Sequence, residues 1–386
     1  MKVRVNFEEL VKALSFANTV LSDKSVDEKS KNFIFNIKEG DSKVIGYSPI
    51  VSSRTLLEDV EVVDEIPEEG WAFQVKASEL NKIVSSFSSL FRTKVSNMYF
   101  YDSGVKVGVE LHEEPLDDAD AKLERDVEFY LESAPIPAKV LKEVKVEFPE
   151  ESEGIPSGDL ILYTDSLMPI MSNDSSSSMG SKVNFTGDYV FVMSSYMSAF
   201  MVNKLPEAMK DMALSYSSVS FLKKLCESAE DMVEISKKDS TYLCVRSSNT
   251  EAFMKYQRVM VNSKLHVDKR KEAMSTGIVL DRLYLKDVLK RMGNMSPDGV
   301  VTITEDGLSV ENSNFSQVVP LNNTKGDVIG IKFKVSVPVL EKIILGKDDV
   351  YTGDVFIYFV KSSRGYIIYT SDKTGVWFAS TQVVNR

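Results

Sequence analysis

The sequence predicts an α+β protein made of repeated units, and three observations carry that expectation. A strand phrase followed by helical Leu-x-x-apolar-apolar spacing recurs along the chain. Each copy is followed by stretches rich in β formers. The copies divide the 386 residues into three pairs, each of about 130 residues and thus of ordinary domain size.

The first copy is Val3-Arg4-Val5, then Leu10, Ala13 and Leu14. Alternation puts Val3 and Val5 on one strand face, and i, i+3, i+4 spacing puts the following residues on one helix face. The second is Phe73-Gln74-Val75, then Leu80, Ile83 and Val84. Two more stand near the end: Leu280, then Leu285, Val288 and Leu289; and Phe333-Lys334-Val335, then Leu340, Ile343 and Ile344. In all four the last strand residue precedes the helical Leu by five positions, a fixed phase that implies one building unit.

A fifth copy reads Met212, Leu214 and Tyr216, then Leu222, Leu225 and Cys226, with a different spacing. The weakest begins at Val144-Lys145-Val146-Glu147-Phe148 and continues after Pro156, where Leu160 to Met168 reads as helix or strand. Strand-like stretches follow the copies, among them Asn32 to Ile37, Met98 to Tyr101, Val105 to Val109, Val300 to Ile303, Val355 to Val360 and Tyr366 to Tyr369. The stiff connector Ala134-Pro135-Ile136-Pro137 and the charged stretch from Val261 to Ser275 mark boundaries. The expected domains are residues 1–133, 134–262 and 263–386, with a linker at about 262–275.

Hydrophobic content of 43% is that of a globular protein. No apolar run approaches the roughly 18–20 residues of a membrane span, and Met1-Lys2-Val3-Arg4 opens no signal-peptide core, so a cytoplasmic location and no membrane partner are expected. Cys226 and Cys244 are too few for a disulfide framework and suit small core positions. The net charge of -11 argues against a generally basic nucleic-acid-binding surface but leaves room for a local basic face.

Catalytic and metal motifs are absent: no phosphate loop, no G-x-G-x-x-G turn, no H-E-x-x-H and no G-x-S-x-G elbow. With only His112 and His266, a histidine triad or multi-histidine metal site is not expected. His112 beside Glu113 and Glu114 reads as part of a solvated acidic loop rather than a cation site. No cofactor and no enzymatic activity are expected; a carboxylate-dependent enzyme is the distant rival.

Basic residues recur on the repeated helices away from their apolar faces: Lys12, Lys82, Lys223, Lys224, Lys286, Lys290, Arg291 and Lys342, with Arg92 and Lys94 after the second helix. Sharing one side of the molecule, they would form a positive surface able to meet phosphates without reading bases. Singly, each is a solvated helix lysine; their recurrence is what favours a surface.

The opening Met1-Lys2-Val3-Arg4-Val5-Asn6-Phe7-Glu8-Glu9-Leu10-Val11-Lys12-Ala13-Leu14 resembles the N-terminal strand and helix of the bacterial beta-type DNA sliding clamps. Tyr256-Gln257-Arg258-Val259-Met260 is similar to that family's strand end before its last domain, and Val146-Glu147-Phe148 matches the start of its middle domain in position. The resemblance implies three domains, each with two helices and two antiparallel sheets, and a homodimeric ring with the helices facing duplex DNA. It implies a DNA polymerase and a clamp loader as partners, docking short apolar peptides between the middle and last domains. By position the pocket would include Tyr196, Met197, Val261, Trp377 and Phe378. There the chain departs from the family: Ser195-Tyr196-Met197-Ser198 replaces a Gly-His-Arg-Leu-like segment, and Ser380 to Arg386 replaces a Met-Pro-containing end. Trp377 and Phe378 read equally well as core residues of a terminal strand. The divergence points to a bacteriophage or other mobile element as source. The main rival is a structural or assembly protein of duplicated α/β units that does not encircle DNA.

Overall fold

In the computed structural model, which describes residues 1–21, 31–68, 70–88, 93–101, 106–113, 123–131, 136, 140, 146–171, 182–193, 197–259, 268, 272, 274–345, 353–362, 365–371 and 377–383, a strand runs straight into a helix six times. Lys2–Asn6 leads into α1 (Phe7–Leu21), Trp71–Lys76 into α2 (Ala77–Ser88) and Glu153–Pro156 into α3 (Ser157–Leu167). Met212–Ser215 leads into α4 (Tyr216–Ser228), Gly277–Asp281 into α5 (Arg282–Met295) and Lys332–Ser336 into α6 (Val337–Leu345). Polar residues at the junctions make the abrupt change of backbone possible by satisfying the first helical N–H groups. Asn6 Oδ1 accepts from the Glu8 and Glu9 amides at 3.0 and 3.2 Å. Ser215 Oγ accepts from Ser218 N at 3.2 Å, and Asp281 Oδ1 from Tyr284 N at 2.7 Å.

One phase governs all six units. The buried helical residues Leu10, Leu80, Leu160, Val219, Leu285 and Leu340 each follow a buried strand residue by five positions, namely Val5, Val75, Ile155, Leu214, Leu280 and Val335. Two expectations change accordingly. The weakest copy starts at Glu153–Pro156, not at Val144, and Leu160 lies in a helix. Among the described residues this strand pairs only with Met232–Lys238, and Ile155 is the one buried residue of its four, so no apolar alternation shows. The fourth unit keeps the common spacing once Val219 rather than Leu222 is taken as its anchor, with Leu222 three positions on.

All strand pairs in the four described sheets are antiparallel. The chain forms two units, Met1–Gly158 with Ser220–Lys255, and Asp159–Val219 with Tyr256–Arg386. The first unit holds an eight-stranded sheet in which Val51–Leu57 pairs with Thr250–Lys255. It also holds a five-stranded sheet that ends at Leu123–Tyr130. Between them a continuous core gathers Val3, Val5, Leu10, Leu80, Phe100 and their neighbours. Phe35 stacks on Phe73 with centroids 5.0 Å apart and meets Phe100 at 4.6 Å. The second unit holds a nine-stranded sheet in which Met197–Val202 pairs with Trp377–Val383. Its four-stranded sheet ends at Phe315–Val319.

The two long sheets share a register. Across the first, one row of opposed residues runs Gly154, Glu234, Arg246, Glu251, Arg54, Ile45, Ile34, Gln74. Across the second it runs Val279, Phe356, Ser371, Trp377, Phe200, Phe191, Asn184, Ala213. Each row begins and ends on the residue six positions before a buried helix anchor.

Candidate nucleic-acid interface

Helix α1 packs beside both other helices of its unit. Asn81 Nδ2 of α2 donates to Asn18 Oδ1 at 3.0 Å, and Phe221 of α4 tilts against Phe16 at 6.2 Å. In the second unit α5 and α6 pack closely: a Cβ built on Gly293 would stand 3.2 Å from Val337 Cγ1. The apolar periodicity that buries one face of each helix leaves the opposite face to water.

Those exposed faces differ in charge. Lys12 and Lys82 are exposed on α1 and α2, next to the polar side chains of Ser15, Asn18, Ser78 and Ser85. On α4, Lys223 pairs with Glu227 at 3.6 Å. Lys224 is turned onto α1, where its ammonium donates to Ser15 O at 2.7 Å, Ser15 Oγ at 2.8 Å and Thr19 Oγ1 at 2.7 Å. Burial there lowers the Lys224 pKa below the ordinary lysine value. Helix α5 exposes Lys290 and Arg291 and half-buries Lys286; Arg291 Nε donates to Asp287 O at 3.2 Å. Helix α3 carries no cation and two acids, Asp159 and Asp165. The six helices together hold nine Lys and Arg against eight Asp and Glu, in a chain of net charge -11, and four of the nine are on α5. The helices are therefore near neutral within an acidic protein, with α5 the cationic exception.

Arg92 lies outside the described residues, as do the side chains of Lys94 and Lys342. Lys94 sits on the strand Thr93–Tyr101, opposite His112.

The expected peptide pocket falls at the seam of the nine-stranded sheet. Met197 is half-buried at the start of its strand, and the register sets Ala199 opposite Phe378 and Phe200 opposite Trp377. Tyr196 and Val261 lie outside the described residues, as do the side chains of Trp377 and Phe378. The floor of the seam is a cluster of Phe191, Phe200, Val360 and Tyr369, bordered by the half-buried Met193, Val259, Tyr358 and Ile367. Sequence reading misses these flooring residues, although Tyr358 and Tyr369 stand in strands whose apolar alternation is visible. Burial pushes the Tyr369 phenol up to about 12, and its hydroxyl has no hydrogen-bond partner among the described residues.

Among the described residues no three His, Cys, Asp or Glu side chains are grouped to hold a metal ion. Cys226 and Cys244 are buried free thiols, each raised to about 12 by desolvation and so unionised at neutral pH. No described helix is long and apolar enough to cross a membrane.

No protein-family model and no curated protein matches the sequence. Solved structures match along its whole length. The DNA polymerase sliding clamp of Bacillus subtilis is 12% identical with a TM-score of 0.75, covering 100% of both chains. The DNA polymerase III beta subunit of Thermotoga maritima is 14% identical with a TM-score of 0.74, and the beta sliding clamp of Caulobacter crescentus 13% identical with a TM-score of 0.72, each again covering 100% of both chains. Such identities speak for architecture alone, and the chain has, from end to end, the α+β fold of the bacterial DNA polymerase III beta subunits.

Proposed function

We propose that the protein is a DNA sliding clamp, a non-enzymatic ring of two identical chains that encircles duplex DNA and tethers a replicative DNA polymerase for processive synthesis. Residues 1–133, 134–262 and 263–386 are its three domains, a clamp loader opens and places it, and it works in the cytoplasm of the cell, or of the host if its source is a phage. The observation that carries the reading is the single phase of six strand–helix units in a chain with this fold from end to end.

The charge distribution supports encirclement over grip. Lys12, Lys82, Arg92, Lys94, Lys223, Lys286, Lys290, Arg291 and Lys342 are the proposed DNA-facing cations; Lys224 contributes mainly by holding α4 to α1. A helix set of nearly zero net charge provides few phosphate contacts, and few contacts mean weak and mobile attachment with a shallow salt dependence. A topological link would make such attachment sufficient. The acidic remainder would repel DNA from the outer surface. The seam around Met197, Phe200 and Tyr369, with Tyr196, Val261, Trp377 and Phe378, is the proposed site for the apolar peptides of polymerase and loader; adaptable Met and aromatic side chains suit such a site.

The test is retention after loading onto a nicked circular plasmid. A clamp stays bound at moderate salt and is lost when the plasmid is cut. Equal retention on cut and circular DNA would overturn encirclement, and no retention on either would favour an assembly protein that does not encircle DNA.

A further inference from the structure

The outward face of the five-stranded sheet carries a pattern that encirclement does not use. The inward row Val3, Phe100, Val107, Phe129 belongs to the core of the first unit. Alternation therefore turns the flanking rows away from that core. One of them runs Lys2, Tyr101, Lys106, Tyr130 across four strands, cation and ring in turn. Val63, 45% exposed, extends it beyond Lys2, to whose carbonyl its amide donates at 3.0 Å. The row holds no carboxylate. The acids of this face stand in the neighbouring rows, where Arg4 holds Glu61 at 3.0 Å and Glu110 at 3.3 Å.

The rings form a platform. Tyr99 and Tyr101 lie 6.3 Å apart at an interplanar angle of 31°. Gly108 is the floor beneath them: a Cβ there would stand 3.3 Å from Tyr101 Cε2, 3.4 Å from its hydroxyl oxygen and 3.5 Å from Tyr99 Cβ. Its φ is not positive, so what the missing side chain allows is the close approach of the ring. Lys2 Nζ sits 4.5 Å from the Tyr99 centroid and 5.0 Å from that of Tyr101, and Lys106 Nζ 5.3 Å from Tyr101. Among the described residues the Lys2 ammonium has no carboxylate partner. Lys106 meets Glu128 at 2.6 Å in a surface ion pair of the kind that is weak and readily exchanged. Tyr130 is 75% exposed.

We infer that this row is a docking face for single-stranded nucleic acid, with bases stacked on Tyr101 and Tyr130 and phosphates met by Lys2 and Lys106. A single strand alternates an anion with an aromatic ring, and the row alternates their complements. The two tyrosines are two strands apart, about 10 Å, with Lys106 between them. A duplex keeps its base faces stacked inside and cannot use the rings. An acidic peptide would gain only the lysines and would confront Glu61, Glu110 and Glu128 beside them. The platform needs no ring, and it stands whether or not the chain encircles duplex DNA.

The test is fluorescence anisotropy of the full chain with labelled oligothymidine of about 12 nucleotides, within the span of one such platform. Stacking on an aromatic side chain contributes a factor of about ten per base. Tyr130→Ala should therefore weaken binding about tenfold, and Tyr101→Ala with Tyr130→Ala about a hundredfold. Tyr101→Phe with Tyr130→Phe keeps both rings and should stay within about twofold of the parent. Lys2→Gln with Lys106→Gln should lower the slope of log K against log salt by about 1.4, at about 0.7 for each phosphate of a single strand. Because Tyr130 is so exposed, its truncation leaves the core intact and tests the platform even where Tyr101→Ala unfolds the chain. No binding by the parent, parent-like affinity of Tyr130→Ala, or equal binding of an abasic strand or of polyglutamate overturns the inference. Tyrosine-dependent binding of oligothymidine by a chain that is not retained on circular DNA would uphold the platform and refute the clamp reading.

Discussion

Removing the two exposed cations of α5, as Lys290→Gln with Arg291→Gln, isolates the uneven charge of the helices. Each phosphate neutralised by the protein contributes about 0.9 to the slope of log K against log salt. Two lost contacts therefore lower that slope by about 1.8, and across a rise from 50 to 200 mM salt the variant loses affinity about 12-fold less steeply than the parent. The assay is fluorescence anisotropy with a short linear duplex over that salt range, which reports contacts free of any topological link. The paired control, Lys12→Gln with Lys82→Gln, removes the same formal charge from helices that also carry Glu8, Glu9 and Glu79. Its change in slope is expected to be smaller, because the local field there is already close to neutral. An unchanged slope in the α5 variant, or equal slopes in the two variants, would refute the charge map.

Other outcomes follow from the packing. Leu160→Ala in α3 should cost about 2–5 kcal/mol in urea unfolding, whereas the partly exposed Leu162→Ala should cost under about 1; the reverse order would mean that the third unit does not share the common phase. Lys224 has a lowered pKa in the folded state, so the unfolded chain binds the proton more tightly, and stability gains from this group as pH rises through the window between the lowered value and the ordinary one near 10.5. Lys224→Met should abolish that gain in unfolding midpoints compared at pH 8 and 10; a parallel profile would show that the ammonium is not desolvated. Tyr369→Phe removes a buried hydroxyl that lacks a partner and should leave the melting temperature unchanged or higher, while a loss of more than about 1 kcal/mol would reveal an undetected hydrogen bond.

What is legible in the sequence is what is local and apolar. Leu10, Leu80, Leu285 and Leu340 announce their helices because each stands in an unbroken phase with a well-patterned strand. The strand Glu153–Pro156 escapes the same test because it is four residues long and buries only Ile155, which leaves no alternation to read. Val219 is hard to see as an anchor because Ser217 and Ser218 precede it and Leu222 competes for the part. Seams are illegible in principle: opposing Arg54 with Glu251 brings together residues nearly two hundred positions apart, and nothing local specifies that register. The site divides along the same line. Lysines can be counted on helices, but the attachment of Lys224 to Ser15 and Thr19 depends on a helix at the far end of the sequence. The cluster of Phe191, Phe200, Val360 and Tyr369 depends likewise on strands far apart in the sequence.

The closed seams also determine what can fold alone. Strands of residues 134–262 are divided between the two units, with Thr250–Lys255 completing one long sheet and Met197–Val202 the other. Excising residues 134–262 would strip partners from both seam strands, leaving Thr55 without the Thr250 hydroxyl 3.1 Å away and Phe200 without the strand that carries Trp377. Dissection that parts these seam strands should yield fragments with bare strand edges, open to aggregation. Each seam strand therefore draws its outer hydrogen-bond partners from a stretch far away in the sequence, so the long sheets close only when most of the chain is present.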